Sequence, residues 1–173
     1  MRMVLSLLLL GFILATRAAC AADASAEANK AVVRHALAAM EQGDLATLNA
    51  IFDPNGPWHI PSGATIRQGG PFADLHSSCP MCASLGDRKI AIDVMLAEGD
   101  LVAVRSVWTG HYTGTVRGVA IAGKPVTLVY MNIYRVAGGR IVENWAIADG
   151  ASLAKQLGFV IAPPPGAPPA GVK

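Results

Sequence analysis

The segment 138-GGRIVENWAIADGASLAKQLG-158 decides the fold. Gly138 and Gly139 make a turn, and "IVENWAIA" carries the period-two pattern of a strand. "SLAKQLGF" then reads as a helix that Gly158 ends. The junction brings Glu143, Trp145 and Asp149 close together in sequence. A regular strand puts Glu143, Trp145, Ile147 and Asp149 on one face. A carboxylate beside an indole in an apolar cavity has its pKa raised by desolvation, which suits proton transfer. Asp149 before Gly-Ala-Ser also has the form of a helix N-cap, and the residues alone leave both roles open.

Working back from this segment, the strand pattern continues. "KPVTLVYMNIYRV" is rich in β-branched and aromatic residues, and "LVAVRSVWTGHYTG" is another strand. In "RKIAIDVMLAEGD" the alternation puts Ile90, Ile92, Val94 and Leu96 on one face, with Gly99-Asp100 as a hairpin turn. Upstream the period is helical. Val32, Val33, Ala36, Leu37 and Met40 mark one helix that Gly43 stops. Asp44 caps a second helix with Leu45, Leu48, Ile51 and Phe52 on its buried side. "NGPWHIPSG" reads as a turn-rich connection, and a third short helix is expected within "GGPFADLHSSCP", ended by Pro80. Helices first and antiparallel strands after predict an α+β domain, with helices packed in a strongly curved antiparallel sheet that leaves a cavity at its open end.

The two ends of the chain read differently. Residues 1–21 have Arg2, an apolar run from Val4 to Ala15, then small residues, as a secretory signal peptide has. The run is short for a membrane span, so no stable span is expected once the leader is removed. Cys20 also fits a lipoprotein cut, although Arg17 stands where such sites carry an aliphatic residue. The expected location is secreted or periplasmic. Residues 162–173 are Pro, Gly and Ala-rich and read as a disordered tail, which leaves one domain at 22–161. Without Arg2 and Arg17, the 14 Lys and Arg of the chain fall to a number equal to its 12 Asp and Glu. A balanced domain has no electrostatic footprint for nucleic acid.

The stretches "AVVRHALAAMEQGDLATLNAIFDP", "AEGDLVAVRSVWTGHYTG", "GKPVTLVYMNIYRVAGGRIVENWAIAD" and "LAKQLG" together resemble the SnoaL-like polyketide cyclases of the nuclear transport factor two-like superfamily. The resemblance implies a cone-shaped fold with a deep apolar pocket, no cofactor, and a small hydrophobic carbonyl compound as ligand. It puts the proton-transfer carboxylate at Asp149 and implies a homodimer paired through the outer face of the sheet. His59 in "PWHIP" stands where the family often has a His, and is expected to bind a carbonyl or hold an acid. The sequence departs from the family pattern in "GHYTG", where Tyr112 takes the usual His place and His111 falls on the opposite face.

Beside Asp149 and His59, the expected ligand-binding residues are Trp145, Glu143, Arg105, Tyr112, Tyr130 and Trp58. Each has a plainer role as well: a solvated or paired strand residue for Glu143, an outer ion pair for Arg105, core filling for Trp145 and the tyrosines. The competing function is a non-catalytic binding or carrier module using the same pocket. Cys79 and Cys82, in "CPMC", are first expected to form a local disulfide in an exported protein. A redox pair comes second, and a soft-metal site with His76 and Met81 third. No metal is expected as a resident cofactor.

Overall fold

The computed structural model describes residues 23–60, 65–67, 80–116 and 118–160, the side chains of 65–67 and Pro80 excepted. The leader, the tail, Cys79 and most of the expected third helix lie outside the described residues.

Helix α1 covers residues 23–42 and buries Val33, Ala36, Leu37, Ala39 and Met40, the stripe its 3.6-residue period predicts. Gly43 ends it at φ 72°, a left-handed conformation that glycine adopts without steric cost. Helix α2, Leu45–Ile51, starts where Asp44 Oδ1 accepts the Thr47 amide at 3.0 Å, while the Thr47 hydroxyl donates to Oδ2 at 2.6 Å. Leu48, Ile51 and the adjoining Phe52 are buried. Helix α3, Pro80–Ser84, begins at Pro80. Pro80 was expected to end a helix. The ring's fixed φ and missing N–H suit a first turn equally well, which is why the sequence reads both ways.

Six strands form one curved sheet in the order β2-β1-β6-β5-β4-β3. They are β1 Pro57–His59, β2 Thr65–Arg67, β3 Leu85–Glu98, β4 Leu101–Val116, β5 Val119–Ala137 and β6 Arg140–Ala148. The last four make an antiparallel meander. β1 corrects the reading of "NGPWHIPSG" as a plain connection: Trp58 pairs with Asn144 and His59 with Trp145, in parallel. Three residues between prolines carry no local strand signal, because the pairing joins segments more than eighty residues apart. Gly56 makes the approach possible, since a Cβ there would lie 2.6 Å from the Val142 carbonyl oxygen.

The expected single face of β3 is also corrected. Ile90 pairs with Trp108 and Ile92 with Ser106, but the next pair is Val94 with Arg105. Asp93 is the extra residue of a β-bulge, and a bulge reverses which residues face which way. Beyond it Met95 and Ala97 pack against the core, while Val94 and Leu96 are exposed.

The core lies between α1, α2 and one face of the meander. Val102, Val104, Trp108 and Tyr112 from β4 and Val126, Leu128, Tyr134 and Val136 from β5 face it. Arg88 ties the helices to the sheet. Its guanidinium donates to the Met40 carbonyl at 2.6 Å and the Cys82 carbonyl at 2.5 Å. Helix α4, Gly150–Gln156, closes the described chain, and Gln156 bonds the Thr127 amide and carbonyl at 2.8 Å each.

Candidate functional site

The expected site residues divide between the two faces of the sheet. On the inner face, Tyr112 is buried and Tyr130 is half-buried with its ring 4.8 Å from that of Trp108. Trp58 packs beside Phe52 with ring centroids 5.4 Å apart. Burial pushes the Tyr130 phenol up to about 12, and burial, with Tyr130 nearby, pushes Tyr134 up as well. Both are therefore neutral hydrogen-bonding groups throughout the physiological range.

Three residues that sequence reasoning passed over join them. Ser106, Asn132 and Asn144 are 0%, 7% and 2% exposed. Ser106 Oγ accepts the Trp108 indole N–H at 3.0 Å, and Asn132 Nδ2 donates to Asn144 Oδ1 at 3.1 Å. Register makes them one row. Ser106 stands opposite Tyr130, Asn132 follows Tyr130 on the same face of β5, and Asn144 bonds Asn132 from β6. The available signal was polar residues at buried parity within "VRSVW", "YMNIY" and "VENWA", where strands disfavour Asn.

On the outer face lie His59, Glu143, Trp145 and Arg105, so the structure corrects the expectation that they share a cavity with the tyrosines. Strand parity is the reason: Glu143 pairs with Arg135 and Trp145 with Ile133, both on the outer side of β5. Glu143 Oε1 meets His59 Nε2 at 2.8 Å, and Oε2 accepts from Arg135 Nε at 3.0 Å. Burial raises the Glu143 pKa, but the bonds from His59 and Arg135 outweigh it and hold the carboxyl below its ordinary value. The His59 ring stacks on Trp145 at 5.0 Å, and the Arg135 guanidinium, also bonded to Asp100, lies 5.6 Å from the Trp145 ring centroid. Arg105 is ion-paired with the bulge residue Asp93. Next to this cluster runs an apolar groove of about 560 Å³, walled by Val94, Leu96, Met131, Ile133 and Ile147 with His59, Trp145 and Arg105.

Asp149 takes the capping role. β6 ends at Ala148, and the exposed Asp149 accepts the Ser152 amide at Oδ1, 2.9 Å away. The expectation that its carboxylate turns into a cavity is not met, because the chain leaves the strand before the alternation reaches it. His111 stands on the outer side, 3.7 Å from Asp87. Cys82 is buried, while Cys79 lies outside the described residues. Among the described residues no group of three or more His, Cys, Asp or Glu is arranged to hold a metal. No described helix is long and apolar enough to cross a membrane.

The family model for SnoaL-like polyketide cyclase matches residues 30–157, from within α1 to the end of α4. The chain belongs to this family. Similar solved structures share the fold of the SnoaL-like domain. IdmH, a candidate polyketide cyclase from Streptomyces antibioticus, is 29% identical, with a TM-score of 0.61, over 76% of this chain and 99% of that one. AclR from Streptomyces galilaeus, described as a candidate hydroxylase, is 22% identical with a TM-score of 0.65, over 77% and 97%. A SnoaL-like protein from Jannaschia is 16% identical with a TM-score of 0.62, over 76% and 92%. None of the curated proteins matches. The expected α+β cone is thus the observed fold of a SnoaL-like chain.

Proposed function

We propose that this SnoaL-like domain binds a small hydrophobic carbonyl compound against the inner face of its sheet, with Tyr130 donating to the carbonyl oxygen. The observation that carries this is the Tyr130 hydroxyl. It belongs to an aromatic wall, is half-buried, and has no hydrogen-bond partner among the described residues. A buried phenol ordinarily finds a partner, and a neutral donor in apolar surroundings suits a ligand carbonyl. The test is a titration of the full chain with 1-tetralone, followed by tryptophan fluorescence. Tyr130→Phe should weaken binding about tenfold, the worth of one buried hydrogen bond, with an unchanged melting temperature. Equal affinities would reject the reading.

The second reading is cofactor-independent acid/base turnover of the same ligand, favoured by the family match and by neighbours described as candidate polyketide cyclases. Tyr130 would polarise the carbonyl. We also propose that the outer face pairs with a second copy. Val94, Leu96, Met131, Ile133 and Ile147 are 43–65% exposed on one side of the sheet, an apolar patch of the kind that marks an interaction surface. A disulfide between Cys79 and Cys82, and export with loss of residues 1–21, complete the proposal. Mass spectrometry of the exported protein under non-reducing conditions tests both. Two free thiols, or an intact leader, would overturn the corresponding part.

A further inference from the structure

Apart from Ser106, the inner face around Asn132 and Asn144 is apolar or aromatic. Val104 and Tyr134 flank them across the ladders, opposite Asn132 on β4 and Asn144 on β5. Each amide carries two N–H donors and a carbonyl oxygen with two lone pairs. Their mutual bond spends one N–H and one lone pair. No other side-chain hydrogen bond of either residue is made among the described residues, although both are more than nine-tenths buried. Exchanging the oxygen and nitrogen assignments of both amides leaves the same surplus.

A core does not require this. Buried polar groups without partners cost stability, and replacing both members of a bonded pair by apolar groups of the same shape is near neutral or stabilising. Two leucines would fill comparable space without the surplus. The row supplies the second argument. Tyr130 and Ser106 adjoin the pair on the same face, and the Ser106 hydroxyl, an acceptor from Trp108, still has its own proton to donate. Unspent donors therefore converge from three neighbouring strands on one strip of the inner face.

We propose that the Asn132–Asn144 pair is the element that reads a ligand's oxygen, selecting oxygenated compounds over hydrocarbons of the same shape. This rests on the reading that the ligand lies against the inner face. The bond between the two amides fixes their planes, so the remaining N–H groups point in set directions, and the ligand's oxygen replaces water as their partner. Tyr130 supplies a donor to the carbonyl, and the amides supply discrimination, since an oxygen-free ligand leaves them buried and unsatisfied.

The full chain is titrated with 1-tetralone and with tetralin, which has the same rings and no oxygen. The protein should prefer the ketone by about tenfold or more. In a Tyr130→Phe background, which removes the other donor to the carbonyl, Asn132→Leu/Asn144→Leu should abolish what remains of that preference, with tetralin bound at least as well as before and the melting temperature kept or raised. If that variant does not fold, Asn132→Val/Asn144→Val, with smaller side chains at both positions, gives the same comparison. A purely structural pair predicts the opposite: a lower melting temperature and an unchanged ketone-to-hydrocarbon ratio. Survival of the remaining preference when the pair is replaced in the Tyr130→Phe background overturns the role of the pair and leaves the inner-face reading standing. Binding of neither probe by the unaltered protein overturns both.

Discussion

The two faces of strands β4 to β6 are built from alternate residues of the same chain and carry opposite chemistry. The inner face is packed, and its polar groups are neutral: a hydroxyl, amides and phenols. The outer face holds the charges, Arg105, Arg135 and Glu143 with His59, and they are paired beside exposed aliphatic side chains. The difference teaches where binding specificity and where assembly are to be sought. Unspent hydrogen-bonding capacity is inside, and unspent apolar surface is outside.

The comparison breaks most visibly by truncation. Leu128→Ala, on the inner face, should cost about 2–5 kcal/mol in chemical denaturation, because a fully buried leucine leaves a cavity. Ile133→Ala, on the outer face of the same strand, should cost the monomer well under 1 kcal/mol. Equal losses would mean that the outer face is as tightly packed as the inner.

A charge sharpens the outer half. Leu96→Asp places a carboxylate in the apolar patch, where Leu96 is 65% exposed. Sedimentation should find the unaltered chain as a dimer and this variant as a monomer, with little change in unfolding of the isolated subunit. A monomeric parent would remove assembly as the reason for the patch.

Asp149 joins neither face, and its substitutions separate cap from chemistry. Asp149→Ala should lose about 1 kcal/mol of stability and Asp149→Asn almost none, since Asn caps as well. If Asp149 is a cap alone, Asp149→Asn should leave any turnover unchanged; a fall of at least about a hundredfold, the low end for general base catalysis, would mean that the carboxylate also transfers a proton. If the variant turns over a substrate normally, Asp149 is a cap and nothing more.

The smallest effect concerns pH. Glu143 titrates below its ordinary value in the folded chain, so its ionised form is favoured by folding. Its contribution is present above the ordinary carboxylate pKa of 4.5 and lost as pH falls through the lowered folded value. The acid limb of a stability–pH curve should therefore be shallower in Glu143→Gln. An unchanged limb would mean that the pairs with His59 and Arg135 contribute nothing.

Much of this was legible in the sequence. Period 3.6 located the first helices, period two located the long strands, and glycine pairs located the hairpin turns. The site was only half legible. Tyr130, Tyr112 and Trp58 face inward, whereas His59, Glu143, Trp145 and Arg105 face outward. Sequence parity says which residues share a side but not which side the helices cover. Asp93 is a second limit, because one unpaired residue shifts parity without altering composition. The Asn132–Asn144 pair is a third: each Asn alone is an ordinary polar strand residue, and only register across the β5–β6 ladder makes them partners.

Asp93 has a consequence for how this surface tolerates insertions and deletions. Loss of that single codon would put β3 back into an unbroken alternation. Ile92 would still face Ser106 and Val94 would still face Arg105, so every later side chain keeps its direction and its partner on β4. Removal of a paired residue such as Met95 would instead force the residues after it to reverse direction or slide along β4, which would break the hairpin at Gly99-Asp100. An insertion in that hairpin leaves the existing pairs intact. In a collection of single-residue deletions, Asp93 should therefore be among the positions in β3 most easily removed, whereas its paired neighbours should not be.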